Sequence, residues 1–474
     1  MSKNNLHVGR VSPSGVTRQA PDVAADANVG LRYANPTYTA YADMGRTITL
    51  GEFAEINPKR ALTKGKTAPF VEMAALPTFS RDIADVAERT FTGSGAKFTN
   101  GDTLLARITP CLENGKTALV SCLSPLVNGH GSTEFIVLAP RSSADQNFLY
   151  YLARSDDFRT YAISRMEGTS GRQRVPNNAV GQYSFFCPPK SERKGIGDLL
   201  ATLDDRIALL RETNTTLEAI AQALFKSWFV DFDPVHAKQQ GREPEGMDDE
   251  TAALFPDSFE ESELGLVPSG WMVGNIGDNT IYMSRGISPK YLDKGGVLVI
   301  NQKCIRDFIL DLSKARRHDP VQRKIDGREL FIGDILVNST GVGTLGRVAQ
   351  VLSSVESMIV DSHVTVVRAS KNLTWNYLGL SMMRRQAEIE NLGEGSTGQT
   401  ELSRSKLAAL KLIIPPQEIL HAFDEIALPL RQRFAANLKQ AQTLATLRDT
   451  LLPRLISGQL RLPDAEVLAE DAGA

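Results

Sequence analysis

Cysteine is scarce and dispersed in this 474-residue chain, where Cys111, Cys122, Cys187 and Cys304 form no CxxC pair. The six histidines contain no HExxH, so neither a disulfide framework nor a zinc site has a signature, and reduced thiols are expected. Long apolar runs are missing too. No stretch approaches the roughly 20 residues that cross a bilayer, and the polar start Met1-Ser2-Lys3-Asn4-Asn5 lacks the apolar region of a signal peptide, so a cytoplasmic protein without membrane attachment is expected. Catalytic signatures are equally absent. Gly65-Lys66-Thr67 and Gly115-Lys116-Thr117 end like phosphate-cradling loops, but Arg60 and Pro110 stand where the upstream glycine is required. There is no GxSxG elbow, no Gly-rich dinucleotide fingerprint and no DPPY or NPPY tetrapeptide of the amino-methyltransferases.

What is present is an ordinary globular composition, 42% hydrophobic and 23% charged, on a chain longer than the roughly 250–300 residues at which one core stops growing. Two or more domains follow. The chain also repeats itself once. Residues 167–189 read EGTSGRQRVPNNAVGQYSFFCPP and residues 394–416 read EGSTGQTELSRSKLAALKLIIPP, an ungapped match at an offset of 227 that ends on a Pro-Pro pair. Upstream, Gly101-Asp102 parallels Gly333-Asp334 and Glu134 to Leu138 parallels His363 to Val367, with the offset drifting between 229 and 232. Downstream the 227 offset returns. The repeat unit is a mixed, strand-rich segment followed by one long helix, an α+β organisation.

Leu203, Ile207, Leu210, Asn214, Leu217, Ala221 and Leu224 alternate steps of four and three, a coiled-coil seam over three heptads. Leu430, Phe434, Asn437, Ala441, Leu444, Arg448 and Leu451 keep the same steps. One such stripe is commonly the buried face of a globular helix, but two of equal length favour mutual packing. Pro188-Pro189 and Pro415-Pro416 stand where a strand must end and a helix can begin. A helix from about Glu192 to Phe232, at ~1.5 Å per residue, is a rod about 60 Å long. Asn214 and Asn437 fit either a solvated stretch or a pair that fixes register inside the seam. Phe225, Trp228, Phe229 and Phe232, at helical spacing, fit either a plug that seats the rod on a domain or an anchor for a partner protein.

Both strand-rich segments are basic, with 16 Lys and Arg against 13 Asp and Glu over residues 46–189 and 19 against 14 over 271–416. Between Gly241 and Gly270 nine acids face Arg242 alone, which reads as a solvated linker and hides the basic segments inside a whole-chain net charge of -2. Residues 1–45 read as a mobile extension and 463–474 as a tail. In the first copy Arg165, Arg172, Gln173, Arg174 and Asn177 sit between a helical stretch (Phe148 to Ile163) and a strand (Tyr183 to Cys187). In the second copy Ser396, Thr397, Gln399, Thr400 and Arg404 occupy the same frame. Such side chains supply donors and acceptors that read base edges and cations that meet phosphates. A shared frame with different side chains suits two readers of different sequences; ordinary polar loops, and a protein-interaction scaffold without DNA, are the competing readings. An enzyme built on Asp102, Asp334 or Asp361 is a third, although Gly-Asp is turn chemistry and the first two more simply cap turns entering a strand.

Three further texts carry a resemblance: LFKSWFVDFDP from Leu224, GMDDETAALFPDSFEESELGLVPSGW from Gly246 and LLPRLISGQLRL from Leu451. With the duplication and the Pro-Pro helix entries, the chain resembles the DNA-specificity subunit of type I restriction-modification systems from about residue 46 to 462. The resemblance implies target recognition domains at 46–189 and 271–416, each reading half of a split, asymmetric double-stranded DNA site. It implies spacer helices at 190–236 and 417–462 that pair antiparallel, separated by the linker 237–270. Two modification subunits would bind the spacer, with Phe225, Trp228 and Phe229 as candidate contacts, and restriction subunits would join them. No cofactor would sit on this chain; S-adenosylmethionine, ATP and Mg2+ would be used by the partners. The extension before Gly45 has no counterpart in the repeat.

Overall fold

The computed structural model describes residues 45–473 apart from 84, 354–355 and 396–399, so the extension read over residues 1–45 lies outside them but for Gly45. Among these residues, no helix is long and apolar enough to cross a membrane.

The duplication in sequence is a duplication in topology. In the first segment Ala54–Ile56, Phe135–Pro140, Thr103–Ala106 and Thr117–Leu119 lie in that order in one sheet. In the second, Thr280–Arg285, Val364–Ala369, Ile335–Asn338 and Val348–Gln350 take the same places. The central strands of both are apolar and almost wholly buried, as strands covered on two faces must be. A companion sheet in each segment holds one parallel pair, Thr67–Val71 with Gly129–Gly131 and Val297–Ile300 with Met358–Val360. Each segment opens and closes on one antiparallel pair, Arg46–Thr49 with Ser184–Cys187 and Met272–Asn275 with Lys411–Ile414. The closing strand then hands the chain through Pro-Pro into a long helix.

Those helices are α1 (Lys190–Phe229) and α2 (Gln417–Ile456), 40 residues each, begun by Pro189 and Pro416. They run antiparallel: Asp204 meets Arg448, Asn214 meets Asn437 and Glu218 faces Arg431, so rising numbers on one helix meet falling numbers on the other. Pro429 and Pro453 lie inside α2 but on its exposed face, where the carbonyls they leave free meet water. α1 stops three residues short of the expected Phe232, which adopts a left-handed backbone (φ 53°) and reverses the chain.

The seam holds Leu203, Ile207, Leu210, Phe434, Leu444 and Leu451 buried between the helices, with Leu217 and Leu224 half-buried at its edge. Leu430, expected in the seam, is half-buried; the buried neighbour is Arg431, because Ala427 and Phe434 set the helical phase. Asn214 and Asn437 are both buried. The Asn437 amide donates to Asn214 Oδ1 (2.9 Å), and the Asn214 amide donates to the Phe434 carbonyl (3.1 Å), so each asparagine is used across the helix pair. Asn214→Leu therefore strands a buried amide donor, and urea denaturation is expected to lose about 1–3 kcal/mol. Changing both asparagines to leucine restores or raises that stability, while light scattering then reports mixed species because the register signal is gone. Unchanged stability and size in the single variant would remove the register role.

Two segments differ from their sequence reading. Residues 237–270 are no bare linker. A short helix, Asp249–Leu254, is capped by Asp248, and a hairpin joins Phe259–Ser262 to Gly265–Pro268. Phe255 and Val267 from this stretch are buried, so a few apolar side chains fix a segment whose acids stay outside. The tail read at 463–474 lies largely in α3 (Leu462–Asp471), which buries Ala465 and Ala469 against the helix pair. Gly195 permits that approach, since a Cβ there would fall 2.3 Å from Leu462 Cδ2.

Each strand-rich segment packs on an opposite end of the helix pair. The first shares a core with the start of α1, the end of α2 and α3; the second shares one with the end of α1 and the start of α2. Tyr151 of the first segment donates to Asp204 (2.6 Å), and Gln350 of the second accepts from Arg431 (2.5 Å).

Candidate nucleic-acid interface

In both segments the matched polar loop is a small excursion pinned at its base by backbone hydrogen bonds. Glu167 and Arg174 exchange N–H···O bonds of 2.9 Å each way, as Glu394 and Glu401 do at 3.0 and 2.8 Å, keeping the 227 offset. The residue after each base bonds back to the sheet: Val175 N–H donates to the Arg107 carbonyl (2.9 Å) and Leu402 N–H to that of Ser339 (2.8 Å). The bases of the two loops are therefore held alike, while the residues between them differ in sequence.

Beside each excursion lies a cleft. The first, of about 750 Å³, is in the second segment and is lined by Arg285, Arg328, Arg404, Glu394 and Glu401 among others. The other, of about 610 Å³, is in the first segment and is lined by Lys59, Arg60, Lys97, Arg107 and Asn177 among others. The two are the same place in the repeat. Strand register equates Ile56 with Met283, opposite Leu138 and Val367, so Asn57–Arg60 correspond to Ser284–Ile287, and Asn177 corresponds to Arg404.

The structure sorts the candidate contact residues. Asn177 and Arg404 line the clefts and are exposed. Arg172 is exposed on the excursion, and Arg165 is exposed with its guanidinium 5.3 Å from the Tyr161 ring centroid. Gln173 is tied through its backbone to Thr109, while its half-buried side chain makes no hydrogen bond among the described residues. Arg174 corrects the sequence reading: its Nε and Nη2 clamp Glu134 at 2.7–3.0 Å, so its charge is already matched. That pairing holds the Glu134 carboxyl below the usual carboxylate range. Thr400 is half-buried against Gly393, and Ser396, Thr397 and Gln399 lie outside the described residues.

Sequence reasoning missed Lys59, Arg60, Lys97, Arg107, Arg285 and Arg328. They lie far apart in the chain and meet only through sheet order; extending the repeat alignment back to Asn57 and Ser284 is the signal that finds the first of them.

The aromatic candidates also need correction as partner contacts. Phe225, Trp228 and Phe229 are each less than 5% exposed, packed among Phe255, Trp271, Tyr377 and Phe423 of the same chain. They seat the helix pair on the second segment, and little of their surface reaches solvent. Asp102 and Asp334 sit in separate segments and accept the N–H groups of Thr99 (2.9 Å) and Phe331 (2.8 Å), each also bound to an arginine, Arg60 or Arg368. Burial still holds the Asp102 carboxyl above its ordinary range. These carboxylates cap turns. No cluster of three or more metal-ligating side chains occurs among the described residues.

No family model matches the chain. Over 409 residues it is 27% identical to the type I restriction enzyme HindI specificity subunit of Haemophilus influenzae, spanning 76% of this chain and 86% of the relative. It is 25% identical over 414 residues to the type I restriction enzyme MjaIX specificity subunit of Methanocaldococcus jannaschii, spanning 84% and 88%. Its fold matches the crystal structure of the type I restriction-modification system S subunit from M. genitalium with a TM-score of 0.55 at 13% identity, covering 88% of this chain and 98% of that one.

Proposed function

We propose, with kinship to type I restriction specificity subunits as the premise, that this chain is the non-catalytic subunit that gives such a complex its DNA sequence preference. The observation that carries the reading is the placement of two equivalent but differently lined clefts on opposite ends of one antiparallel helix pair. Each cleft, with its pinned excursion, reads half of a split duplex target, and the helix pair sets the gap, as dimer geometry does in other DNA readers. Residues 46–189 and 271–416 are the two recognition domains. Cations on the cleft walls hold phosphates, and the exposed side chains of Arg172, Asn177 and Arg404 face base edges. Modification subunits, two per chain, bind the exposed faces of the helix pair, and restriction subunits join through them. Methyl transfer from S-adenosylmethionine and ATP-driven, Mg2+-dependent cleavage belong to those partners.

Exchanging residues 46–189 for the matching domain of a related subunit, then selecting bound duplexes from a random library with the assembled complex, tests this. The expected result is a target in which one half changes while the other half and the gap stay. A target altered in both halves, or no selected sequence at all, would contradict it.

A further inference from the structure

The two clefts are equivalent in position but differ in electrostatic character. Four cations line the first-domain cleft, Lys59, Arg60, Lys97 and Arg107, and no carboxylate does. Arg60 is bound to Asp102. The other three cations have no hydrogen bond or ion pair from their side chains to any described residue; Lys97 lies over the Phe91 ring at 5.0 Å, and Arg107 Nε is buried without a partner.

Sequence offset assigns each of the four a counterpart in the second domain. Lys59 and Arg60 fall on Gly286 and Ile287, at the 227 offset that strand register sets on Ile56 and Met283. Lys97 and Arg107 correspond to Glu329 and Ser339, at 232, the offset that sets Asp102 on Asp334. None of the counterparts is a cation. At Gly286 there is no room for a side chain: a Cβ there would lie 1.9 Å from the Val360 carbonyl oxygen. The second cleft has three lining cations, Arg285, Arg328 and Arg404, and two carboxylates, Glu394 and Glu401. Arg285 is paired with Glu401 and Glu394 with Lys406, while Arg328 donates to the Arg285 carbonyl (3.3 Å), so Arg404 is the one lining cation whose side chain makes no hydrogen bond or ion pair to a described residue.

Resting on the DNA reading above, we infer that the two domains divide the work of binding: the first-domain cleft is the phosphate grip of the protein, and the second-domain cleft contributes sequence preference with little net charge. Phosphate contacts hold any sequence, release counterions and make affinity fall with salt, whereas paired carboxylates and guanidiniums can discriminate base edges without adding to that fall. The first domain therefore adds most of the sequence-independent hold to the reading of its own half-site, and the second adds little hold beyond its own.

The experiment measures duplex binding by the full chain, assembled with its partner subunits, as salt rises from about 50 to 200 mM. Lys59→Gln combined with Arg107→Gln is expected to reduce the slope of log affinity against log salt by about 1.8, at ~0.9 per phosphate contact, equally on target and unrelated duplexes. Arg328→Gln combined with Arg404→Gln is expected to reduce it by less than about 0.9 and to weaken binding to the target more than to unrelated DNA. Lys59→Gln with Lys97→Gln carries the first expectation if thermal melting shows that Arg107→Gln disturbs the fold. Equal slope losses from the two pairs overturn the division of labour and leave the DNA reading standing. A wild-type complex that binds no duplex at low salt overturns both.

Discussion

Replacing Asp204 with alanine is expected to destabilise the protein by about 3–5 kcal/mol in urea denaturation, the cost of removing one partner from a buried ion pair. Asp204 and Arg448 bond across the helix pair with side chains 4% and 3% exposed, and Tyr151 of the first domain donates a further hydrogen bond to Asp204 (2.6 Å). Removing the carboxylate leaves Arg448 in the seam with the exposed Asp449 and a long 3.4 Å bond to the Phe79 carbonyl, and leaves the Tyr151 hydroxyl without its acceptor. The loss comes from the stranded charge, so Asp204→Leu together with Arg448→Met is expected to recover most of it. Recovery by the double variant separates this account from one in which alanine merely opens a cavity.

Trp228→Ala is expected to cost a comparable 3–5 kcal/mol. The indole is nearly fully buried, edge-on to Phe255 at 5.2 Å and close to Phe423 at 5.9 Å, where α1, α2 and the acidic connecting segment meet. The cavity borders three separate elements of the chain, none free to collapse into it without unseating the second domain. Loss of a modification subunit with unchanged melting temperature would instead revive the reading of Trp228 as a partner contact.

Much of this was legible in the sequence, for identifiable reasons. A heptad pattern is local and long, so it located α1 and α2 within a few residues, and a duplication kept at one offset fixed their equivalence. Pro189 and Pro416 marked both starts because proline is tolerated at a helix entry and not beyond it. Gly-Asp read correctly as turn chemistry at Asp102 and Asp334. The rest shares a cause: apolar pattern is local in the chain, whereas contacts are set by tertiary packing. Arg431 took the seam place read for Leu430 because a long aliphatic stem packs while its guanidinium reaches Gln350. Phe255 and Val267 were too few among nine acids to reveal an ordered segment, and the small residues of α3 gave a weak stripe. The loops held the nameable motif, but the cleft cations came from positions 59, 97 and 107, brought together only by sheet pairing.

The most direct measurement of the central claim lengthens the helix pair. One heptad inserted after Asn214 in α1 and before Asn437 in α2 adds about 10.5 Å, at ~1.5 Å per residue, between the two domains. The split target of the assembled complex is then determined by duplex selection. The account predicts two unchanged half-sites separated by a longer gap, by at most about three base pairs at ~3.4 Å each. An unchanged gap, or altered half-sites at the original spacing, would contradict it.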